Sequence, residues 1–157
     1  MKTTLLLVGK TTDKHITALI DEYKQRLSHY LNFEIIVIPE LKNTKNLTFE
    51  QQKTSEGELI LKQISQADTV VLLDEHGKEQ SSVGFSKGSE KKLNSTPRRL
   101  VFIIGGPYGF SDSVRERASE LISLSQMTFS HQMVRLIFVE QLYRAMTIIN
   151  GEPYHHE

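Results

Sequence analysis

The sequence has no cysteine among its 157 residues, and its charges cancel, with 19 basic and 19 acidic side chains. The lack of cysteine excludes disulfides, thiolate zinc sites and a cysteine nucleophile. The balanced charge argues against strong, sequence-independent attraction to DNA, to other nucleic acids or to a membrane surface. Any role on nucleic acid would therefore need a local patch of the surface.

Long apolar runs are also missing. The uninterrupted apolar runs, such as those at 5–8 and 70–73, fall far short of the roughly 20 residues that a membrane helix needs. The first residues lack the extended apolar region and small-residue cleavage site of a secretory signal, so we expect a cytoplasmic protein without a membrane span. The composition that remains, 38% hydrophobic and 24% charged residues, is typical of a folded domain, and we expect residues 1–157 to form a single one.

Short apolar segments alternate with segments of helical periodicity along the chain. Strands are expected at 3–8, 33–38, 69–73, 100–104 and 121–124. Because these segments are apolar throughout and do not alternate, the pattern predicts an α/β fold, a mostly parallel sheet with helices on both faces. In such sheets ligands bind beyond the carboxyl ends of the strands, which directs attention to the loops at 74–77, 105–109 and 125–130.

Two glycine turns match nucleotide-binding motifs only in part. The VGKT turn at 8–11 lacks the second glycine of a phosphate loop, because Thr4 stands at that position, so an ordinary strand-to-helix turn is the better interpretation. The turn at 105–109 has G-G-x-x-G spacing and no acidic residue ends the next strand, which excludes a dinucleotide fingerprint. Its glycines either let a ligand approach the backbone or only supply turn geometry, and spacing does not decide between these.

Two further segments carry side chains suited to ligands or to chemistry. The stretch 123–131 is rich in hydroxyls, and Ser130 capping the last helix would explain only one of them, so a ligand loop is favoured. The tail 153–157 offers a phenol and two imidazoles, which suit proton transfer or RNA contact, with a solvated tail as the plain alternative. His155 and His156 lack the i, i+4 spacing of a helical metal pair, so we expect no metal site. The tail is too short for an element of its own, and we expect it to have no structural role.

Several segments taken together resemble one family. They are LDEHGK at 73–78, IIGGPYGF at 103–110, LSQMTFSH at 124–131, EQLYRA at 140–145 and PYH at 153–155. In this order the chain resembles the RlmH family, methyltransferases of the knotted SPOUT class that modify N3 of a pseudouridine in large-subunit (23S) ribosomal RNA. The resemblance covers the whole chain.

The resemblance implies a C-terminal deep trefoil knot, the cofactor S-adenosyl-L-methionine and a substrate in the large-subunit ribosomal RNA of the ribosome. It implies that three loops hold the cofactor, through Leu73, Gly105, Gly106, Ser125, Gln126, Met127, Thr128, Phe129 and Ser130. Tyr154 or His155 would accept or relay a proton, and Arg144 would stabilise an oxyanion on the base. No metal is required for this chemistry.

A homodimer is also expected, through an apolar face of the last helix formed by Val134, Ile137, Phe138, Leu142 and Tyr143. Replacing Gly106 by valine is expected to abolish cofactor binding, because the new side chain would occupy the space of the ligand. Two other functions stay open: a ribosome-associated RNA-binding protein of the same fold without turnover, and a nucleotide binder that uses residues 9–12.

Overall fold

A computed structural model of the chain describes residues 2–156. The strands are β1 (Lys2–Val8), β2 (Asn32–Ile38), β3 (Asp68–Glu79), β4 (Arg99–Ile104) and β5 (Glu120–Ser123). The helices are α1 (Lys14–Leu27), α2 (Phe49–Lys62), α3 (Ser82–Ser95), α4 (Asp112–Arg117) and α5 (His131–Ile149), with short 3-10 turns at Thr44–Asn46 and Pro153–His155. Within the described residues, no helix combines the length and the apolar character needed to cross a bilayer.

The five strands form one parallel sheet in the order β2-β1-β4-β3-β5. Leu5 of β1 belongs to a core that is covered by α1, α3 and α5, whereas its neighbour Leu6 belongs to a second core under α2 and α4. Successive side chains of a strand point to opposite faces, so a strand covered on both sides is apolar at every position. The predicted α/β fold with helices on both faces is therefore confirmed.

β3 is longer than the sequence predicts. The prediction ends it at Leu73, but the strand continues to Glu79 through a bulge, and Ile122 of β5 pairs with both Leu73 and Lys78. A Cβ on Gly77 would lie 2.6 Å from the backbone nitrogen of Ile122, so glycine is needed for the two strands to pass this closely. The polar residues inside the bulge hide the continuation from a reading based on apolar runs.

The last part of the chain returns to elements formed earlier. β5 lies beside β3 at the edge of the sheet and not beside β4, which precedes it, and α5 then packs against α1 and α3. Arg135 of α5 is 3% exposed and donates to the carbonyl oxygens of Val8 and Gly9, at 2.8 and 2.9 Å. This buried guanidinium ties α5 to the turn after β1. The trefoil knot that the resemblance implies stays a prediction.

Candidate functional site

A cleft of about 380 Å³ lies at the carboxyl ends of β3, β4 and β5. Its walls come from the segments at 73–76, 104–110 and 123–129, together with Arg115 and the start of α5. A parallel α/β fold binds its ligands at the carboxyl ends of its strands, and the volume of this cleft suits a small-molecule cofactor. The three loops selected from the sequence thus meet in one place.

Most of the predicted cofactor residues line this cleft: Leu73, Gly105, Gly106, Ser125, Gln126, Met127, Thr128 and Phe129. Ser130 lies just beyond it, where its Oγ accepts a 3.1 Å hydrogen bond from the N–H of Met133 and caps α5. Within residues 2–156, the backbone N–H groups of Gln126, Thr128 and Phe129 have no acceptor. These donors are available to a polar ligand in the cleft.

Glu56 of α2 supports the glycine loop at 105–109 through a hydrogen bond with its backbone. The N–H of Gly106 donates to Oε1 of Glu56 at 2.9 Å. Burial raises the pKa of the Glu56 carboxyl, the bond from Gly106 opposes this, and the nearby charge of Glu40 adds to the rise. A Cβ on Gly106 would collide with the Glu56 carboxylate, and a Cβ on Gly105 would lie 2.9 Å from the ring of Phe110. Clearance for the ligand at Gly106 stays a prediction, and the structure adds that a side chain there would also meet the Glu56 carboxylate.

An ion pair joins two walls of the cleft. Nη2 of Arg115 donates to Oδ2 of Asp74 at 2.7 Å, and both residues line the cleft. The other oxygen of Asp74 accepts from the N–H of His76 at 2.8 Å. The sequence indicated Asp74 only as part of a loop and missed Arg115, because a pair separated by 41 residues leaves no local pattern.

The three predicted catalytic residues lie together around Glu140 of α5. Arg144 donates to Oε1 of Glu140 at 2.7 Å and to Nδ1 of His155 at 3.0 Å. The hydroxyl of Tyr154 donates to the same oxygen of Glu140 at 3.1 Å, and the guanidinium carbon of Arg144 lies 4.8 Å from the centroid of its ring. We call Glu140, Arg144, Tyr154 and His155 the tail cluster.

The tail is docked on the helices. Its 3-10 turn places the ring of Tyr154 edge-on to that of Tyr143, with centroids 4.8 Å apart, and its hydroxyl lies 3.3 Å from that of Tyr23 in α1. Upstream, the hydroxyl of Tyr30 donates to Glu152, which raises the pKa of Tyr30 to about 12. The expectation that the tail has no structural role is wrong. Its partners are distant in the chain, so tail length alone was a poor guide.

The tail cluster and the cleft lie at opposite ends of α5. His131, the first residue of the helix, lines the cleft. Arg144 lies about 20 Å further along the axis, at a rise of about 1.5 Å per residue. None of Arg144, Tyr154 and His155 is among the described residues that line the cleft. One copy of the chain therefore does not bring its predicted catalytic residues to its own cofactor loops.

Protonation in the tail cluster follows from its contacts. Burial raises the pKa of the Tyr154 phenol well above its usual value, and hydrogen bonds with Tyr23 and Glu140 act in the same direction. The phenol is therefore a donor at neutral pH. A guanidinium has no acceptor, so in its 3.0 Å contact with His155 the Arg144 side chain donates and Nδ1 accepts.

Comparison with known proteins decides the family. A family model described as "Predicted SPOUT methyltransferase" matches residues 1–155. The chain belongs to the SPOUT methyltransferase family. Three relatives are named ribosomal RNA large subunit methyltransferase H. This SPOUT chain is 63% identical to the one from Bacteroides fragilis, 62% to the one from Phocaeicola vulgatus and 55% to the one from Flavobacterium johnsoniae, and each comparison covers 100% of both sequences. Among solved structures, a chain assigned to the TrmH family from Porphyromonas gingivalis has a TM-score of 0.38 and 12% identity, covering 88% of this chain and 58% of that one.

SPOUT methyltransferases use S-adenosyl-L-methionine. The cleft of this SPOUT chain fits such a cofactor in size, in its unpaired backbone donors at Gln126, Thr128 and Phe129, and in its apolar wall at Leu73 and Ile104.

Proposed function

We propose that this chain is a methyltransferase that uses S-adenosyl-L-methionine to methylate N3 of a pseudouridine in large-subunit ribosomal RNA, acting on the assembled ribosome in the cytoplasm. The observation that carries the proposal is that three of the segments resembling the RlmH family, those at 73–78, 103–110 and 124–131, converge on one cleft at the carboxyl ends of the strands. The names of the full-length relatives support the class of substrate. We treat residues 1–157 as a single SPOUT domain.

The cleft would hold the cofactor through backbone groups. Gly105 and Gly106 form one wall, where Glu56 fixes the amide of Gly106, and the free N–H groups of Gln126, Thr128 and Phe129 form another. The bound cofactor supplies an electrophilic methyl group. The protein therefore has to align the attacking nitrogen and to stabilise the charge that develops on the base.

The tail cluster would act on the base. N3 of the target would give up its proton to water, negative charge then spreads to the carbonyl oxygens beside it, and the guanidinium of Arg144 is a donor suited to one of them. Arg144 also donates to Nδ1 of His155 and so positions that ring within the tail cluster. Tyr154 stays protonated and anchors the tail on Glu140, so we assign it a donor's role and not that of the base.

A homodimer would complete the site, because Arg144 lies about 20 Å along α5 from His131 at the cleft of the same copy. Phe138 and Leu142, which the sequence assigned to the interface, are buried in the chain's own core. The outward side of α5 instead carries a stripe at helical spacing. Its residues are Met133, Ile137, Gln141, Arg144 and Ile148. We propose that two copies meet on this stripe with their helices antiparallel, so that the tail of one lies beside the cleft of the other.

Complementation between two inactive variants tests this function and this assembly together. Gly106→Val should impair the cleft, since its side chain displaces Glu56, while Arg144→Ala should impair the tail cluster. Each variant alone should show almost no methyl transfer to ribosomes that lack the modification. Mixed and re-annealed, they should recover about one quarter of the wild-type rate, since random pairing makes half of the dimers mixed and each of those has one intact site.

Different failures identify different errors. Wild-type protein that binds S-adenosyl-L-methionine and ribosomes without methylating them would favour the RNA-binding protein without turnover. Methyl transfer by the wild type without recovery in the mixture would support the methyltransferase activity. It would refute a site shared between two copies of the chain. Nucleotide mapping of the methylated product tests the position on the pseudouridine.

A further inference from the structure

The rim of the cleft carries an exposed pair of aromatic rings. Phe49, the first residue of α2, stacks on Tyr108 with ring centroids 4.3 Å apart and ring planes 19° apart. Phe49 is 65% exposed and Tyr108 is 41% exposed. Tyr108 also lines the cleft, so the stacked pair is continuous with the cofactor site.

Neither ring is needed by the fold. Neither belongs to the two hydrophobic cores or to the side chains packed against them. The start of α2 is stabilised without the Phe49 ring, because Thr48 and Gln51 form a reciprocal capping box there. A flat aromatic surface left in water at the mouth of a site is more typical of recognition than of packing.

The segment that leads into Phe49 is locally basic in a chain of zero net charge. Residues 41–48 contain two lysines and no acidic side chain. Lys42 and Lys45 are both exposed, and neither is in an ion pair with any of the residues 2–156. Positive charge next to an open aromatic face is the combination with which proteins bind single-stranded nucleic acid, since the cations meet phosphates and the rings meet bases.

We propose that the Phe49–Tyr108 pair is a stacking platform for an unpaired nucleotide of the ribosomal RNA at the mouth of the cleft, with Lys42 and Lys45 contacting its phosphates. The inference rests on the proposed function and adds the surface that receives the RNA. An enzyme that modifies a base needs the local strand unstacked. Each base drawn out of its stack is stabilised when it stacks on an aromatic ring of the protein.

The test uses full-length protein and ribosomes that lack the modification. Phe49→Ala should raise the KM for ribosomes about 5- to 150-fold, the range that corresponds to losing one base–aromatic stack. The value of kcat and the calorimetric affinity for S-adenosyl-L-methionine should change less than about twofold, because Phe49 does not line the cleft. Phe49→Trp should restore the KM, whereas Phe49→Leu, equally apolar but without a flat face, should not.

The matched control is Val37→Ala on the edge strand β2. Val37 is 40% exposed and does not line the cleft, so this variant should keep the wild-type KM. An unchanged KM in Phe49→Ala would overturn the platform while leaving the methyltransferase intact. Rescue by Phe49→Leu would indicate an apolar protein contact instead, and a lowered cofactor affinity or a loss of dimer mass in light scattering would assign the ring to the cofactor site or to a subunit interface. Failure of the wild type to methylate ribosomes would refute the proposed function itself, and with it the inference that rests on that function.

Discussion

Replacing Tyr154 by alanine should destabilise the protein, although the residue lies near the end of the chain. Besides the contact of its hydroxyl with that of Tyr23, the residue has three contacts that alanine removes. It packs edge-on against Tyr143, its hydroxyl donates to Glu140, and its face receives the guanidinium of Arg144. A solvated tail would lose nothing on the same substitution.

The size of the effect follows from these contacts. An edge-to-face aromatic pair contributes ~1 kcal/mol, a hydrogen bond to a charged group ~2 kcal/mol and a partly exposed cation–π contact ~0.5 kcal/mol. All three share one ring and are not independent, so we expect a loss of about 3 kcal/mol in the free energy of unfolding, or about 6–12 °C in Tm for a chain of this length. Tyr154→Phe keeps the ring, and Glu140 keeps its bond from Arg144, so the loss should be about 1 kcal/mol.

Urea unfolding at fixed protein concentration measures these losses, with exposed His156→Ala from the same tail as the control. The control should stay within about 0.5 kcal/mol of the wild type. The raised pKa of Tyr154 adds a pH signature: the phenol's contribution is fully present below its unfolded pKa of about 10 and is lost as the pH rises through the higher folded value. The wild type's advantage over Tyr154→Phe should accordingly shrink above about pH 10. Equal stability of the wild type and Tyr154→Ala would refute the docked tail.

Three further results are expected. Gly77→Ala should cost about 3 kcal/mol in urea unfolding, because its Cβ meets the backbone of Ile122, which is held by pairing with both Leu73 and Lys78; a neutral effect would contradict the close strand passage. Glu56→Ala should weaken S-adenosyl-L-methionine binding about tenfold in calorimetry by releasing the amide of Gly106, and Glu56→Gln, which keeps an acceptor, should bind almost as the wild type does. Burial opposes ionisation of Asp68, but its bonds from Arg99 and Ser65 hold the pKa of the carboxyl below its usual value, so the pair stabilises the fold above about pH 4 and the contribution fades as the pH falls further. Asp68→Asn should show a flatter acid limb between about pH 5 and pH 2, and identical limbs would remove Asp68 from the acid response.

The sequence by itself determined the order of strands and helices, the parallel sheet covered on both faces and the three loops of the cleft. These features leave local patterns, because burial on both faces makes a whole strand apolar, as in 5–8, and a helix repeats its buried side chains every three or four residues. Placement of the loops then follows from a general property of parallel sheets, whose carboxyl ends share one edge. The family resemblance added the cofactor residues on those loops.

Only the tertiary structure decided which distant side chains meet. The support of Gly106 by Glu56 spans 50 residues, and the contact of Tyr23 with Tyr154 spans 131. Such pairs leave no periodic trace, since each depends on how whole elements pack. The same holds for the separation of the cleft and the tail cluster along α5. The family resemblance assigns the residues of both to one function, but only the packed helix shows that they lie at its opposite ends. Their distance is set by the rise of the helix and by the element on which each group docks.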